Sequence, residues 1–301
     1  MASSSTRILD FATPTGRLAP ISGVKKMALV TLEEAVDDSG IVGVPSLSEI
    51  IDDIGDAVFA ATDFAEELLE RDGPDHYGLT LQHIAALNLY TQDAIYRALN
   101  FALRSEDRTA VKPYFRYIRL LLDAFLLLPP YQVDGGEAII FRGVKLDLSA
   151  EYPDKKKVFF WSITSCTTNG DALQNPMFLG TSGPRTIFNI TTHCARDIQR
   201  YSFYKSEAEV LLPPGLQFVV MSKMNVPGSG GLVLINLVEK SDKLVPWTKK
   251  KKAGGAGSGA AAMSGGAASK LPPAPPAAQK EVPPRRGSPS PPSSPSPHSS
   301  P

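Results

Sequence analysis

The order of hydrophobic and polar residues divides the chain into a helical part and a strand-rich part. Between Thr31 and Leu128, apolar residues recur every three or four positions, which is the period of an amphipathic helix. After Pro130 the apolar runs become short and alternate with turn residues, as is typical of strands. The pattern predicts an α+β fold, with an N-terminal helical lobe packed on a mixed or antiparallel, β-sandwich-like core.

Four helices are predicted from the helical period. Thr31 and Glu34 have the Ser/Thr-x-x-Glu spacing of a capping box, and so do Ser46 and Glu49. A proline pair follows residue 128 and stops the last helix, because proline cannot continue one. The apolar stripe predicted for that helix consists of Tyr114, Ile118, Leu121, Leu122, Phe125 and Leu126. The four predicted helices cover residues 50–73, 80–89, 94–103 and 112–128.

Six strands are predicted in the second half of the chain. A glycine-rich stretch at residues 228–231 separates the last two and is typical of a hairpin loop. The predicted strands cover residues 137–144, 157–162, 186–192, 207–212, 216–225 and 231–239.

Composition shifts set the expected domain bounds. Residues 1–30 are expected to form a poorly ordered lead-in, and residues 31–246 one folded domain. That domain comprises a helical lobe at 31–130 and a β core at 131–246. Residues 247–301 are rich in Lys, Gly, Ala, Pro and Ser, and such a tail buries too little apolar surface to become ordered.

Charge and cysteine content exclude several classes of protein. The 301 residues carry 31 basic and 31 acidic side chains, so no basic excess indicates a nucleic-acid partner. We expect a monomer without a membrane span, because no run approaches the ~20 apolar residues that a span needs. Met1 to Arg7 lack the pattern of a signal peptide, which favours a cytoplasmic protein with reduced thiols. Cys194 stands beside His193 without a second ligand pair, so we expect no metal site.

Two carboxylates, Glu207 and Glu209, open an apolar run and are the first candidates for chemistry. Side chains alternate along a strand, so residues two apart leave the same face. Two like charges on one face repel each other, which suits a site that stabilises a cation. The plainer interpretation is a solvated strand end.

Two further stretches of the β region carry polar groups at the ends of apolar runs. Arg142, followed by Gly143, ends one apolar strand, and a buried arginine needs an anionic partner such as a phosphate. A structural ion pair is the alternative. The run that ends at Trp161 leads into a cluster of hydroxyls that includes Ser165 and Thr167. An ordinary exit from a strand is the alternative there.

The order of these stretches resembles the arginine-specific mono-ADP-ribosyltransferases of the Arg–Ser–Glu class, over about residues 79–239. The resemblance implies that Arg142 contacts the phosphates and nicotinamide ribose of NAD, and that Ser165 braces the catalytic Glu209. It implies that Glu207 serves the acceptor arginine, and it adds Gly143 and Phe188 to the NAD site. Further matching stretches are residues 95–100, 103–106, 178–180 and 186–188.

The resemblance also implies an activity: transfer of ADP-ribose from NAD, as co-substrate, to a protein arginine, without a metal. Residues 168–184 would form the loop over the phosphates, and residues 201–206 the turn that faces the acceptor. The hydroxyl motif departs from the family pattern at Cys166 and Thr167, and the tail has no counterpart in the family. The alternatives are an NAD glycohydrolase, with water as acceptor, and a catalytically silent interaction module of the same fold.

Overall fold

The computed structural model describes residues 23–37, 48–92, 94–133, 136–174, 179–205 and 208–240. The predicted N-cap Ser46 and the predicted tail lie outside these residues. Val24, inside the expected lead-in, is buried in a 3-10 turn at Val24–Lys26. The other expected domain bounds stay predictions.

The helical lobe contains five α-helices in the described part of the chain. The capping box at the start of α1 is confirmed: the Thr31 N–H donates to Glu34 Oε2 at 3.0 Å, and the Glu34 N–H donates to Thr31 Oγ1 at 3.2 Å. Among the residues described, no helix is both long enough and apolar enough to cross a membrane. The helices are α1 (Leu32–Asp37), α2 (Ser48–Asp72), α3 (Leu81–Thr91), α4 (Tyr96–Arg104) and α5 (Phe115–Leu127).

Helix α5 shows where the predicted apolar stripe was right and where it was not. Five of the six predicted positions are buried, but Leu126 is 51% exposed. Tyr117, Leu120 and Ala124 were not part of the predicted stripe but are buried too, and the Tyr117 hydroxyl donates to the carbonyl of Ala86 on α3 at 2.9 Å. The buried face of α5 is therefore wider than the predicted stripe, and a tyrosine can belong to it because its hydroxyl has a buried acceptor.

Eight strands follow, joined by hydrogen bonds into one mixed sheet. Their order is β2-β7-β8-β4-β1-β3-β6-β5. Strands β4 and β8 pair in parallel, whereas the other neighbours pair antiparallel. The predicted α+β class is therefore confirmed. The strands are β1 (Ala138–Val144), β2 (Lys157–Phe160), β3 (Thr164–Thr167), β4 (Arg185–Thr192), β5 (Arg196–Asp197), β6 (Glu209–Leu212), β7 (Leu216–Asn225) and β8 (Leu232–Glu239).

Two predicted strand bounds were wrong, and both errors concern polar stretches. The strand predicted to reach Ser162 ends at Phe160, and the hydroxyl-rich β3 after it was not predicted. Threonine suits a strand, but a run of hydroxyls lacks the apolar alternation that marks one. The strand predicted to begin at Glu207 begins at Glu209, because Ala208 has a left-handed φ of 45°.

Helix α3 is buried on nearly all sides and carries a neutral histidine, His83, in its first turn. The Thr80 N–H donates to His83 Nδ1 at 3.2 Å, so this ring nitrogen must be unprotonated. Burial lowers the pKa of His83, an effect that the nearby Arg119 reinforces and Asp123 opposes. Protonation therefore both places a charge in the core and breaks the hydrogen bond at the helix start.

This histidine should make the fold less stable in mild acid. As pH falls below about 6.5, the unfolded chain takes up the proton before the folded chain does, so the free energy of unfolding declines. His83→Gln keeps an acceptor at this position without a titrating ring, and should show a smaller decline between pH 7 and 5 in urea unfolding. The exposed His76→Gln is the control and should behave like the parent. An equal slope in His83→Gln would contradict the prediction.

Candidate active site

A buried carboxylate lies at the start of β6. Glu209 is only 5% exposed to solvent. Ser165 Oγ donates to its Oε1 at 2.6 Å, and Ser202 Oγ donates to its Oε2 at 3.1 Å. Hydrogen bonds from two hydroxyls stabilise the negative charge and fix the plane of the carboxylate. The site therefore presents an oriented anion inside the protein.

Arg142 joins this cluster through the backbone of β3. Its Nη1 donates to the carbonyl of Ser165 at 2.9 Å, and the residue is half-buried on β1. Ser165 thus contacts Glu209 with its side chain and Arg142 with its carbonyl. The structure brings together three residues that lie in separate stretches of the sequence, on β1, β3 and β6.

The start of β3 is fixed by two polar side chains of the helical lobe. Asn100 Oδ1 accepts from the Ile163 N–H at 3.1 Å, and Asn100 Nδ2 donates to the Tyr90 hydroxyl at 2.9 Å. The Tyr90 hydroxyl in turn donates to the Ile163 carbonyl at 3.1 Å. These bonds close a ring of three residues around the peptide groups of Ile163, two positions before Ser165.

The same helix that carries Tyr90 also holds the loop that carries Ser202. Asn88 Nδ2 donates to the carbonyl of Tyr201 at 3.0 Å. The Phe203 N–H donates to Thr91 Oγ1 at 2.8 Å. Both neighbours of Ser202 are therefore bonded to α3, which positions the second hydroxyl that contacts Glu209.

The charges of Glu209 and Arg142 affect the pKa values of two neighbouring groups, the Tyr90 hydroxyl and the Cys166 thiol. Burial raises the pKa of the Tyr90 hydroxyl, and the Glu209 charge adds to the rise, whereas the Asn100 hydrogen bond and the Arg142 charge oppose it. Burial raises the pKa of the Cys166 thiol to about 12, opposed by Arg142 and supported by Glu209. Cys166 is therefore a neutral thiol and no nucleophile at neutral pH.

Gly143 allows a loop to approach β1 closely. A Cβ at this position would lie 3.2 Å from Leu173 Cδ2 and 3.2 Å from Leu179 Cβ. Both leucines belong to the segment predicted to cover the NAD phosphates, of which residues 175–178 lie outside the described chain. The contacts of Gly143 favour a role in packing this loop against β1. Its direct contact with NAD stays a prediction.

Phe188 on β4 is the cross-strand partner of Arg142 on β1, so the sheet places it beside one member of the cluster. It is 2% exposed, and its ring centroid lies 4.8 Å from that of Tyr152 and 6.5 Å from that of Phe160. The ring thus packs in the core beneath β4. Its assignment to the NAD site stays a prediction.

Glu207 lies outside the described residues. The argument that strand alternation puts it on the same face as Glu209 does not hold, because β6 begins only at Glu209 and Ala208 has a φ of 45°. A role for Glu207 must therefore rest on the resemblance alone.

Sequence reasoning missed the residues that position the cluster. Ser202 lay within the turn assigned to the acceptor, and no local pattern marks it as a partner of Glu209. Asn100 lay within a stretch that resembles the family, without an assigned role. The signal available for α3 was its set of polar residues in an otherwise apolar helix, because buried polar groups need partners.

The family model described as NAD:arginine ADP-ribosyltransferase (ART) matches residues 63–243, more than half of the chain. The chain belongs to the NAD:arginine ADP-ribosyltransferase family. The resemblance inferred from the three motifs is thereby confirmed.

A relative from Mycobacterium avium (strain 104) bears the name NAD(+)–arginine ADP-ribosyltransferase Mav. It is 32% identical over 174 residues, which are 56% of this chain and 20% of the relative. The chain therefore matches about a fifth of the length of this larger protein.

Two solved structures share the fold. The eukaryotic mono-ADP-ribosyltransferase ART2.2 superposes with a TM-score of 0.52 at 19% identity, covering 70% of this chain and 88% of its own. The type III effector XopAI from Xanthomonas axonopodis pv. citri gives a TM-score of 0.52 at 17% identity, covering 73% and 92%. At such identities the likeness shows the fold alone.

The ring around Ile163 should contribute measurably to stability. Asn100→Ala removes both polar atoms and leaves the Ile163 N–H without its partner, which costs on the order of 1–3 kcal/mol in free energy of unfolding. Urea unfolding would measure this loss. The exposed Asn225→Ala on β7 is the control and should stay within about 0.5 kcal/mol of the parent. Similar values for both variants would show that Asn100 does not fix β3.

Proposed function

We propose that this protein transfers ADP-ribose from NAD to arginine side chains of proteins and releases nicotinamide. The observation that carries the proposal is the pair of hydrogen bonds that links Arg142 through Ser165 to Glu209. The protein belongs to the NAD:arginine ADP-ribosyltransferase family, and these bonds join the residues that the resemblance assigns to NAD binding and to catalysis.

Glu209 is proposed to stabilise the reacting ribose. Cleavage of the bond between nicotinamide and ribose builds positive, oxocarbenium-like charge on the sugar. An anion held in place before the reaction lowers the energy of that transition state, because no dipoles have to reorganise. Ser165 and Ser202 hold both oxygens of Glu209 in this way. The carboxylate is also a suitable acceptor for a ribose hydroxyl.

Arg142 is proposed to bind the phosphates of NAD. A guanidinium has five N–H donors, so an arginine that donates one hydrogen bond to a carbonyl can still donate others to a phosphate. A mutant of ART2.2 has been crystallised in complex with NAD. It is 20% identical to this protein, covers 70% of this chain and superposes with a TM-score of 0.51. This complex supports NAD as the co-substrate on the shared fold.

The turn before Glu209 is proposed to face the acceptor arginine. Phe203 and Tyr204 are exposed there, and their rings lie edge to face with centroids 5.1 Å apart. Exposed aromatic side chains offer contact area to a protein partner. Glu207 follows this turn, and we assign to it the orientation of the guanidinium and the removal of its proton.

The two alternatives are less favoured. A silent module of the same fold would have no need for an intact Arg142, Ser165 and Glu209, yet all three are present and the described bonds connect them. Hydrolysis of NAD by water is proposed as a side reaction only. A cytoplasmic place of action and a monomeric state stay expectations from the sequence.

The direct test is a reaction of the full chain with labelled NAD and agmatine, a small arginine analogue. Label should appear on agmatine, in a bond that hydroxylamine cleaves, together with free nicotinamide. Nicotinamide release without labelled agmatine would indicate a hydrolase, and no release would indicate a silent module. Label confined to cysteine, serine or glutamate of acceptor proteins would refute arginine as the target.

Glu209→Gln should abolish both transfer and NAD hydrolysis. The change keeps the size of the side chain and removes its charge, so the oxocarbenium-like state loses its electrostatic partner. We expect a loss of ~10²-fold or more in nicotinamide release. Glu137→Gln, at an exposed residue before β1, is the matched control and should retain activity. Activity of Glu209→Gln within a few-fold of the parent would mean that another group stabilises the cation.

Glu207→Gln should separate the two activities. If Glu207 serves only the acceptor, the ribose bond still breaks and water replaces arginine. Nicotinamide release and label on agmatine are measured in one reaction, and only the label should fall strongly. Equal loss of both signals would indicate that Glu207 serves NAD binding or folding.

A further inference from the structure

A second cluster of reactive side chains lies where β4 and β8 end. The two strands run in parallel, so their carboxyl ends meet at the same edge of the sheet. His193 and Cys194 directly follow β4, and Glu239 is the last residue of β8. The sequence spacing predicted no metal here because the third candidate ligand is far along the chain and only the sheet brings it near.

The three side chains are spaced like the ligands of one ion. Among the residues described, the ligand atoms of His193, Cys194 and Glu239 all lie within 4.8 Å of one another. His193 Nδ1 lies 3.5 Å from Glu239 Oε2. Zinc bonds of about 2.0–2.3 Å in a tetrahedron separate neighbouring ligand atoms by roughly 3.3–3.8 Å. The distance from His193 to Glu239 already lies in this range, whereas separations of up to 4.8 Å must close by about 1–1.5 Å to hold zinc.

The carboxylate of Glu239 has a buried oxygen that no N–H or O–H group of the described chain contacts. The residue is 5% exposed, and its Oε1 is buried without an N–H or O–H donor, while the neighbouring Cys194 thiol offers the carboxylate only a weak hydrogen bond. Its Oε2 accepts from the Thr192 hydroxyl and from the His193 N–H, the latter at 3.0 Å. A buried carboxylate oxygen without a partner is unfavourable, so a cation beside it would stabilise the fold.

Arg196, which follows closely in the sequence, is not the cation that pairs with the Glu239 carboxylate. Arg196 Nε donates to the carbonyl of Phe125 at 2.7 Å, and its Nη1 donates to the carbonyls of Cys194 and Ala195 at 2.9 Å and 3.1 Å. Its hydrogen bonds are thus directed at backbone oxygens and not at Glu239. The guanidinium instead fixes the backbone that carries the thiol.

We propose that His193, Cys194 and Glu239 bind a zinc ion. Imidazole, thiolate and carboxylate are all zinc ligands, and the exposed side of His193 leaves the fourth position to water or another ligand. The thiol releases its proton to solvent when the zinc–sulfur bond forms. Thr192 supports the site from behind, because its hydroxyl donates to Glu239 and accepts from the Cys194 N–H at 3.1 Å.

The ion would fasten the segment that leads into β5. Residues 196 and 197 pair with β6, and the Ile198 N–H donates to the carbonyl of Glu209 at 3.1 Å. Zinc at residues 193 and 194 therefore holds an edge strand that flanks the carboxylate cluster. The role is structural, and it is independent of the proposed transfer reaction.

The test uses the full chain without an affinity tag, first stripped of metal by a chelator. Zinc titrated against a colour-forming chelator should bind one ion per chain and raise the melting temperature. Cobalt should give the charge-transfer absorption of a thiolate ligand in the near ultraviolet. Cys194→Ser should lose this band, whereas Cys166→Ser, at the other buried cysteine, should keep it.

Two further variants keep the proposal testable if Cys194→Ser does not fold. His193→Ala changes an exposed side chain and should weaken zinc binding at least tenfold, and His76→Ala should leave it unchanged. The proposal is overturned if the stripped parent binds no zinc at about 10 μM free ion. It is equally overturned if the cobalt band survives Cys194→Ser, or if the two histidine variants bind zinc alike.

Discussion

The fold around the site depends on the burial of one charged group, the carboxylate of Glu209. A charge removed from water destabilises a protein unless hydrogen bonds replace its hydration. Ser165 and Ser202 supply such bonds from two segments that are distant in the chain. Any change that displaces either segment leaves the carboxylate under-solvated. The position of the anion and the stability of its surroundings are therefore set by the same contacts.

Helix α3 supplies the frame for both serines. Its apolar residues bury the helix in the core, while Asn88, Tyr90 and Thr91 near its end bond to the backbone of the loops that lead into β3 and β6. A helix held on all sides by packing cannot shift without loss of many contacts. The helical lobe is thus part of the proposed catalytic site, because its side chains position the segments that carry both serines.

The sequence predicted the parts of the fold that rest on local periodicity. The apolar runs of α2, α5, β7 and β8 stand close to the predicted places because each buries one continuous face. Strand β3 was missed because its burial comes from neighbours on both sides, β1 and β6, and not from its own pattern. Ser165 and Glu209 stood out as polar groups beside apolar runs and received their roles from a resemblance. Ser202 was missed because a contact between a loop and a strand leaves no periodic signal.

The backbone just before Glu209 explains why the strand period misled. Ala208 adopts a φ of 45°, which costs a residue with a side chain roughly 1–2 kcal/mol. Its carbonyl is held by the Thr168 N–H at 3.2 Å and lies 3.5 Å from Thr167 Oγ1. These bonds to the end of β3 offset the strain and turn the chain at this point. The direction of Glu209 is therefore set by a turn at Ala208 that β3 stabilises, and the pleat of β6 begins only at Glu209.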